Sequence, residues 1–179
     1  MKPEELTVGM LVGPDFEDLE FWSVLMRVWE AGYKTCVIGS KAGEVYVAKS
    51  GGLTAQSELA SREARSEVLF ALLVPGGFAP DKLRRDPDIL RLVQEIDYQK
   101  KVLGFICHAG WVGVSAKLLS GRPVTGSKGI KDDLVNAGGL WIDKPAFRDA
   151  NRVWGRVVED IPAYQRELIA ALDEAASRV

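Results

Sequence analysis

A chain of 179 residues, 47% hydrophobic and 27% charged, has the balance of a globular domain long enough to bury a sizeable core. A net charge of −2 with no long basic run argues against a nucleic-acid surface, and the apolar runs are too short to span a bilayer. The opening MKPEELTVGMLVGPDFED carries acids on both sides of its apolar run, unlike a secretory signal, so the expectation is a cytoplasmic protein with no membrane partner.

Cys36 and Cys107 form no CxxC pair, and with one histidine in the chain no metal site is expected. GRPVTGSKG has glycines and a lysine but lacks the phosphate-loop spacing. No repeat divides the sequence, so residues 1–179 read as one domain that calls for no cofactor.

In chain order, LTVGMLV reads as a strand broken by GPD. From Glu17 a helical period follows, with Leu19, Trp22, Val24, Leu25, Val28 and Trp29 as the apolar stripe and Gly32 as the stop. YKTCVIGS is a second strand, and GEVYVAKSGGLTA alternates around SGG as a hairpin does. SELASREARSEV is polar and expected to be partly helical. VLFALLVPGG is a continuous apolar strand, as a parallel strand buried on both faces requires. A short helix over APDKL, a longer one opening near Pro87, a buried strand VLGFIC and a helix from HAGW come next. A short helix over IKDDLVN and an amphipathic C-terminal helix complete the pattern. Buried strands alternating with helices predict an α/β fold with a mainly parallel sheet and a site at the carboxyl ends of the strands. There GPDFED, PGGFAPD and CHAGW can meet.

The last of these loops carries the chemistry. Cysteine is usually an inert small hydrophobe, and Cys36 inside an apolar strand is expected to be one. Cys107 instead stands where a strand turns into a helix, and the unpaired N–H groups of a helix start favour a thiolate. His108, the lone imidazole, is either a helix-start residue or a general acid/base beside the thiol. Glu17 is either a first-turn helix acid or a protonated carboxyl donating to the thiolate. Asp81 is a helix cap or the acid that orients His108. Gly76 and Gly77 make a simple turn or offer backbone N–H groups to an oxyanion.

FEDLEFW, LLVPGGFAPDKLR, ICHAGW and GIKDDLVNAGGLWID resemble the PfpI branch of the ThiJ/PfpI superfamily, in order and over nearly the whole chain. The resemblance implies a flavodoxin-like three-layer sandwich and a homodimer or higher homo-oligomer. It matches Cys107 to a nucleophile on a strained elbow, His108 to its neighbour, and Glu17 to the glutamate that hydrogen-bonds the thiol. It matches Asp81 to an acid that reaches the histidine of a neighbouring subunit, and Gly77 to an oxyanion-hole glycine. It implies small aldehydes or peptides as substrates. Two segments depart from the family pattern: CHAG replaces CHGP, and GSKG replaces a tyrosine-proline segment. Ala109, Ser127 and Lys128 are therefore expected to line an altered, cationic pocket. Two functions remain: a cysteine enzyme, and a redox sensor that needs Cys107 but not His108 or Asp81. The presence of Cys107, Glu17, His108 and Asp81 together favours the enzyme.

Overall fold

Strands covered on both faces need no polar side, which is why the continuous apolar runs form the sheet centre. A computed structural model describes residues 2–179. β1 (Thr7–Leu11) leads through α1 (Asp18–Glu30) to β2 (Lys34–Gly39). The hairpin of β3 (Val45–Val47) and β4 (Thr54–Gln56) follows, then β5 (Leu59–Ala60) and β6 (Ala71–Val74). α2 (Ala79–Leu83), α3 (Pro87–Tyr98), β7 (Val102–Ile106) and α4 (Gly110–Ser115) come next. The chain ends with β8 (Pro123–Val124), α5 (Lys131–Asn136), β9 (Leu140–Trp141), β10 (Ala146–Asp149), β11 (Arg152–Gly155) and α6 (Ile161–Ala176).

The main sheet runs β10-β11-β7-β6-β1-β2-β5, and only the β10–β11 pair is antiparallel. α1 and α6 pack together against β1, β2 and the β7–β10–β11 edge, while α3 packs with α4 and against β6 and β7. This is the flavodoxin-like three-layer sandwich that the sequence predicts. No described helix is long and apolar enough to cross a membrane.

Three local expectations change. The buried stripe of α1 is Phe21, Val24, Leu25 and Val28, whereas Leu19 and Trp29 at the predicted stripe's ends are about half exposed. SELASREARSEV forms β5 and two single 3-10 turns rather than a helix. The β10–β11 hairpin, which adds two strands beyond β7, carries no strong strand signal. Its Arg152 is buried because Nε and Nη2 reach Asp97 at 2.7 and 2.8 Å and Nη1 reaches the Leu118 carbonyl at 2.7 Å.

The loops after β1, β6 and β7 do meet. Phe16 bridges to Gly77, with Glu17 N–H donating to the Gly76 carbonyl at 3.2 Å and Phe78 N–H to the Asp15 carbonyl at 2.8 Å. Gly77 has φ +73, and a Cβ there would lie 2.4 Å from the Asp15 oxygen, so only glycine fits.

Candidate active site

β7 runs extended to Ile106, and then Cys107 takes φ +59. A left-handed conformation costs a non-glycine residue about 1–2 kcal/mol, so the surroundings must hold it. They do so through its carbonyl, which accepts Ser127 N–H at 3.1 Å. Gly126 lies so close that a Cβ would stand 2.6 Å from the same oxygen. The chain leaves through one 3-10 turn, Cys107–Ala109, into α4.

Glu20, not Glu17, is the carboxyl that meets the thiol. Glu17 is the N-cap of α1: its Oε2 accepts the N–H groups of Leu19 and Glu20, both at 2.8 Å. That capping turns the Glu17 side chain back on its own helix. Glu20 lies one turn in, in phase with buried Val24 and Val28, and is fully buried. Its Oε2 accepts Gly76 N–H at 2.8 Å, and its carboxyl stands against the Cys107 side chain, where each group shifts the titration of the other. A Cβ on Gly76 would stand 2.3 Å from Glu20 Oε2 and 2.7 Å from Cys107 Cβ, so this glycine lets the two side chains close over it.

Burial first, and then the neighbouring Glu17 charge, push Glu20 up from 4.5 to about 7. Burial also raises the Cys107 thiol, and the Glu20 carboxylate adds to that rise. The amides of His108 and Gly77 act in the opposite sense by donating to the sulfur. Above neutrality the pair therefore holds one proton between a carboxyl and a thiol, and the two groups titrate as one unit. When the proton sits on Glu20, the sulfur is a thiolate facing a carboxyl donor and two amides.

His108 Nδ1 lies 3.2 Å from the sulfur, and its ring meets the Trp111 ring edge-on at 5.2 Å. Burial and the charge of Lys49 lower its pKa, which keeps the imidazole neutral at pH 7 and able to take a proton. Trp111 is itself fixed by Nε1 donating to Asp133 at 2.7 Å, with the Arg84 guanidinium 5.8 Å from its ring centre.

The other expected residues divide. Gly77 offers its amide to the sulfur, but the Gly76 amide is taken by Glu20 and cannot serve an oxyanion. Asp81 faces solvent and pairs with Arg85 at 2.6 Å and Lys82 at 3.3 Å, so it does not orient His108 within the chain. Ala109 is fully buried. Ser127 caps the turn that follows it by accepting Gly129 N–H at 3.3 Å. Lys128 is exposed and its charge acts on Asp143, while the next residue, Gly129, lies so close to the imidazole that a Cβ there would stand 3.7 Å from His108 Nε2. Cys36 is only half-buried, packs against the core and has its pKa raised by burial. Among the described residues, no cluster of His, Cys, Asp or Glu is arranged to hold a metal ion.

Sequence reasoning missed Glu20, Trp111 and Lys49. Glu20 had a signal: a carboxylate in phase with the buried face of an amphipathic helix. Lys49 had none, because only the fold of the β3–β4 hairpin sets its backbone against Phe16 and lets its charge act on Glu20 and His108.

Among relatives, a deglycase of Pyrococcus abyssi is 33% identical over 93% of this chain and 99% of its own length. General stress protein 18 of Bacillus subtilis is 34% identical over 89% of this chain and 93% of its own. Among solved structures, a two-domain protein of Anabaena variabilis with DJ-1/ThiJ/PfpI-like and ferritin-like domains superposes with a TM-score of 0.92 at 33% identity. The match covers 94% of this chain and 48% of that one. Drosophila melanogaster DJ-1beta shares the fold at a TM-score of 0.84, with 20% identity over 97% of this chain and 96% of that one. Residues 7–171 match the DJ-1/PfpI family profile, and with these relatives they show that the chain belongs to the DJ-1/PfpI family.

Proposed function

We propose that this chain is a cysteine-dependent enzyme acting on small carbonyl compounds, in the manner of a glyoxalase or deglycase. The observation that carries the reading is the Cys107 sulfur set between a buried carboxyl that keeps a proton near neutrality and the amides of Gly77 and His108. With the proton on Glu20, the Cys107 thiolate attacks an aldehyde carbon and forms a hemithioacetal, and Glu20 gives its proton to the new alkoxide. Neutral His108 removes the proton from that carbon and returns it to the adjacent carbonyl carbon, while the Glu20 carboxylate takes back the hydroxyl proton and delivers it to the adjacent oxygen. The result is a thioester, which water cleaves to a hydroxy acid and the free thiol. On a peptide, the same thiolate would form an acyl-enzyme, with the Gly77 and His108 amides as the donors nearest an oxyanion. The names of the relatives support catalysis in the family and fit the small-aldehyde reading better than the peptide one.

The reading includes a homodimer or higher homo-oligomer. Its support is the exposed Asp81, available to a neighbouring copy, and the exposed apolar side chains Leu19, Met26 and Trp29 on α1. A redox reading rests on the same geometry, because Glu20 and the two amides would also hold the oxygens of a sulfinate at Cys107.

The deciding experiment follows methylglyoxal loss and lactate formation by the wild type and Cys107→Ala. Turnover lost in the variant by at least about a thousandfold supports the reading. Equal turnover in both overturns it, and no turnover in either moves the function to the redox reading.

A further inference from the structure

The hairpin loop after β3 is tied to the active-site loops at successive residues. Asp15 N–H donates to the Val47 carbonyl at 3.1 Å, and Lys49 N–H donates to the Phe16 carbonyl at 2.9 Å. Ser50 closes on the Asp18 carboxylate through its hydroxyl and, at 3.3 Å, its N–H. Phe16 in turn bridges to Gly77, whose amide donates to the Cys107 sulfur. The Lys49 backbone thus stands three links from the reacting atom, through Phe16 and Gly77, on a loop fixed at both sides. Its side chain is exposed and makes no ion pair among the described residues. Its charge nevertheless acts on both Glu20 and His108, the two side chains beside the sulfur. Of the other cations nearby, Arg84 is engaged with Trp111 and Ser115, and Lys128 acts on Asp143 through its charge without an ion pair to it.

We propose that Lys49 is the anion-recognition residue of this site, and that the preferred substrates are carbonyl compounds bearing a carboxylate close to the carbon that Cys107 attacks. This rests on the carbonyl reading above. A buried carboxyl beside the sulfur otherwise disfavours an anionic substrate, and an uncommitted ammonium on the hairpin loop bonded to Phe16 offsets that repulsion.

The test compares alkylation of Cys107 by iodoacetate and by iodoacetamide, reagents of nearly equal size that differ in charge. Both displace iodide with the same thiolate, so their rate ratio cancels any change in the Cys107–Glu20 proton. Peptide mapping separates Cys107 from Cys36. The iodoacetate-to-iodoacetamide ratio is expected to fall about three- to tenfold in Lys49→Met, as removal of a nearby solvent-screened charge predicts, and to survive in Lys49→Arg. In the wild type it falls as salt rises. A ratio unchanged in Lys49→Met, or lost equally in Lys49→Arg, overturns the proposal. Alkylation needs no turnover, so failure to convert methylglyoxal would sink the carbonyl reading and leave this ratio readable. A second readout is kcat/KM for a carboxylate-bearing against a neutral 2-oxoaldehyde, whose preference for the anion should shrink in Lys49→Met through KM.

Discussion

Two buried carboxylates stand at opposite ends of the sheet, and the fold treats them in opposite ways. At the amino end, Asp97 at the last turn of α3 receives Nε and Nη2 of Arg152 at 2.7 and 2.8 Å and the Asn151 amide at 3.2 Å. Burial alone would raise its pKa, but the Arg152 guanidinium outweighs burial and holds it below the ordinary carboxylate range. At the carboxyl end, Glu20 has no cation in contact. Its Oε2 has one amide, its Oε1 meets no partner with hydrogen-bond geometry, and the carboxyl is left against a thiol. Burial therefore wins, and Glu20 keeps its proton to about 7. A paired buried acid holds structure together, whereas an unpaired one stores a proton for chemistry.

The largest effect on stability belongs to the paired acid. Asp97→Ala leaves the Arg152 charge nearly buried without its partner, a loss of about 3 kcal/mol. Urea or thermal unfolding measures it, and Cys107 alkylation should stay at the wild-type rate. Because the folded pKa of Asp97 is depressed, its contribution is present above the ordinary carboxylate range and is lost as pH falls into acid. A variant as stable as the wild type at pH 7 would break the contrast from this side.

Glu20→Gln tests the other side, with the opposite sign. The unfolded chain loses the Glu20 proton near 4.5 and the folded chain only near 7. Between those values the folded state holds more protons, so stability falls as pH rises, by about 3 kcal/mol in all at 1.36 kcal/mol per pH unit. Glu20→Gln removes that loss: it should match the wild type near pH 4 and unfold at a higher temperature at pH 8. The same variant separates stability from reactivity. Wild-type Cys107 alkylation should rise with a midpoint near 7 and then level off, as the shared pair gives up its first proton. In Glu20→Gln the rise should move to higher pH, where the buried thiol ionises alone. A profile that Glu20→Gln leaves in place would mean that the proton is not shared.

The sequence made the layered fold legible through runs such as VLFALLV and VLGFIC, whose lack of alternation marks strands covered on both faces. The β10–β11 hairpin stayed hidden because RVWG is four residues long and opens on an arginine, a strand start that makes sense only once Asp97 is seen to receive it. At the site, Cys107, His108 and Gly77 could be placed from the strand-to-helix turn and the glycine pair. Which glutamate faces the sulfur could not be read from proximity to GPDF. Capping decides it: Glu17 commits Oε2 to the N–H groups of Leu19 and Glu20, and the helix phase delivers Glu20 to the sulfur one turn later. Lys49 was out of reach for a different reason, since no local pattern encodes contact between a hairpin tip and two distant loops.

Asp81 provides the smallest change in stability and the sharpest question about the site's boundary. Its carboxylate stays ionised to lower pH than usual because of a hydrogen bond from Arg85, opposed by slight desolvation and aided by Lys82, all on the solvent side of α2. Exposed pairs of this kind add little to folding, so Asp81→Asn should leave the unfolding transition where it is. Within one chain Asp81 cannot act on His108, and a monomer would turn over equally with either residue. If a neighbouring copy brings its Asp81 to this His108, Asp81→Asn should lower kcat several-fold, and wild-type activity per chain should fall on dilution below the dissociation constant of the assembly. Unchanged activity in Asp81→Asn, together with activity independent of concentration, would confine the catalytic groups to one chain. Glu20 would then be the only carboxyl available to the sulfur and the imidazole alike.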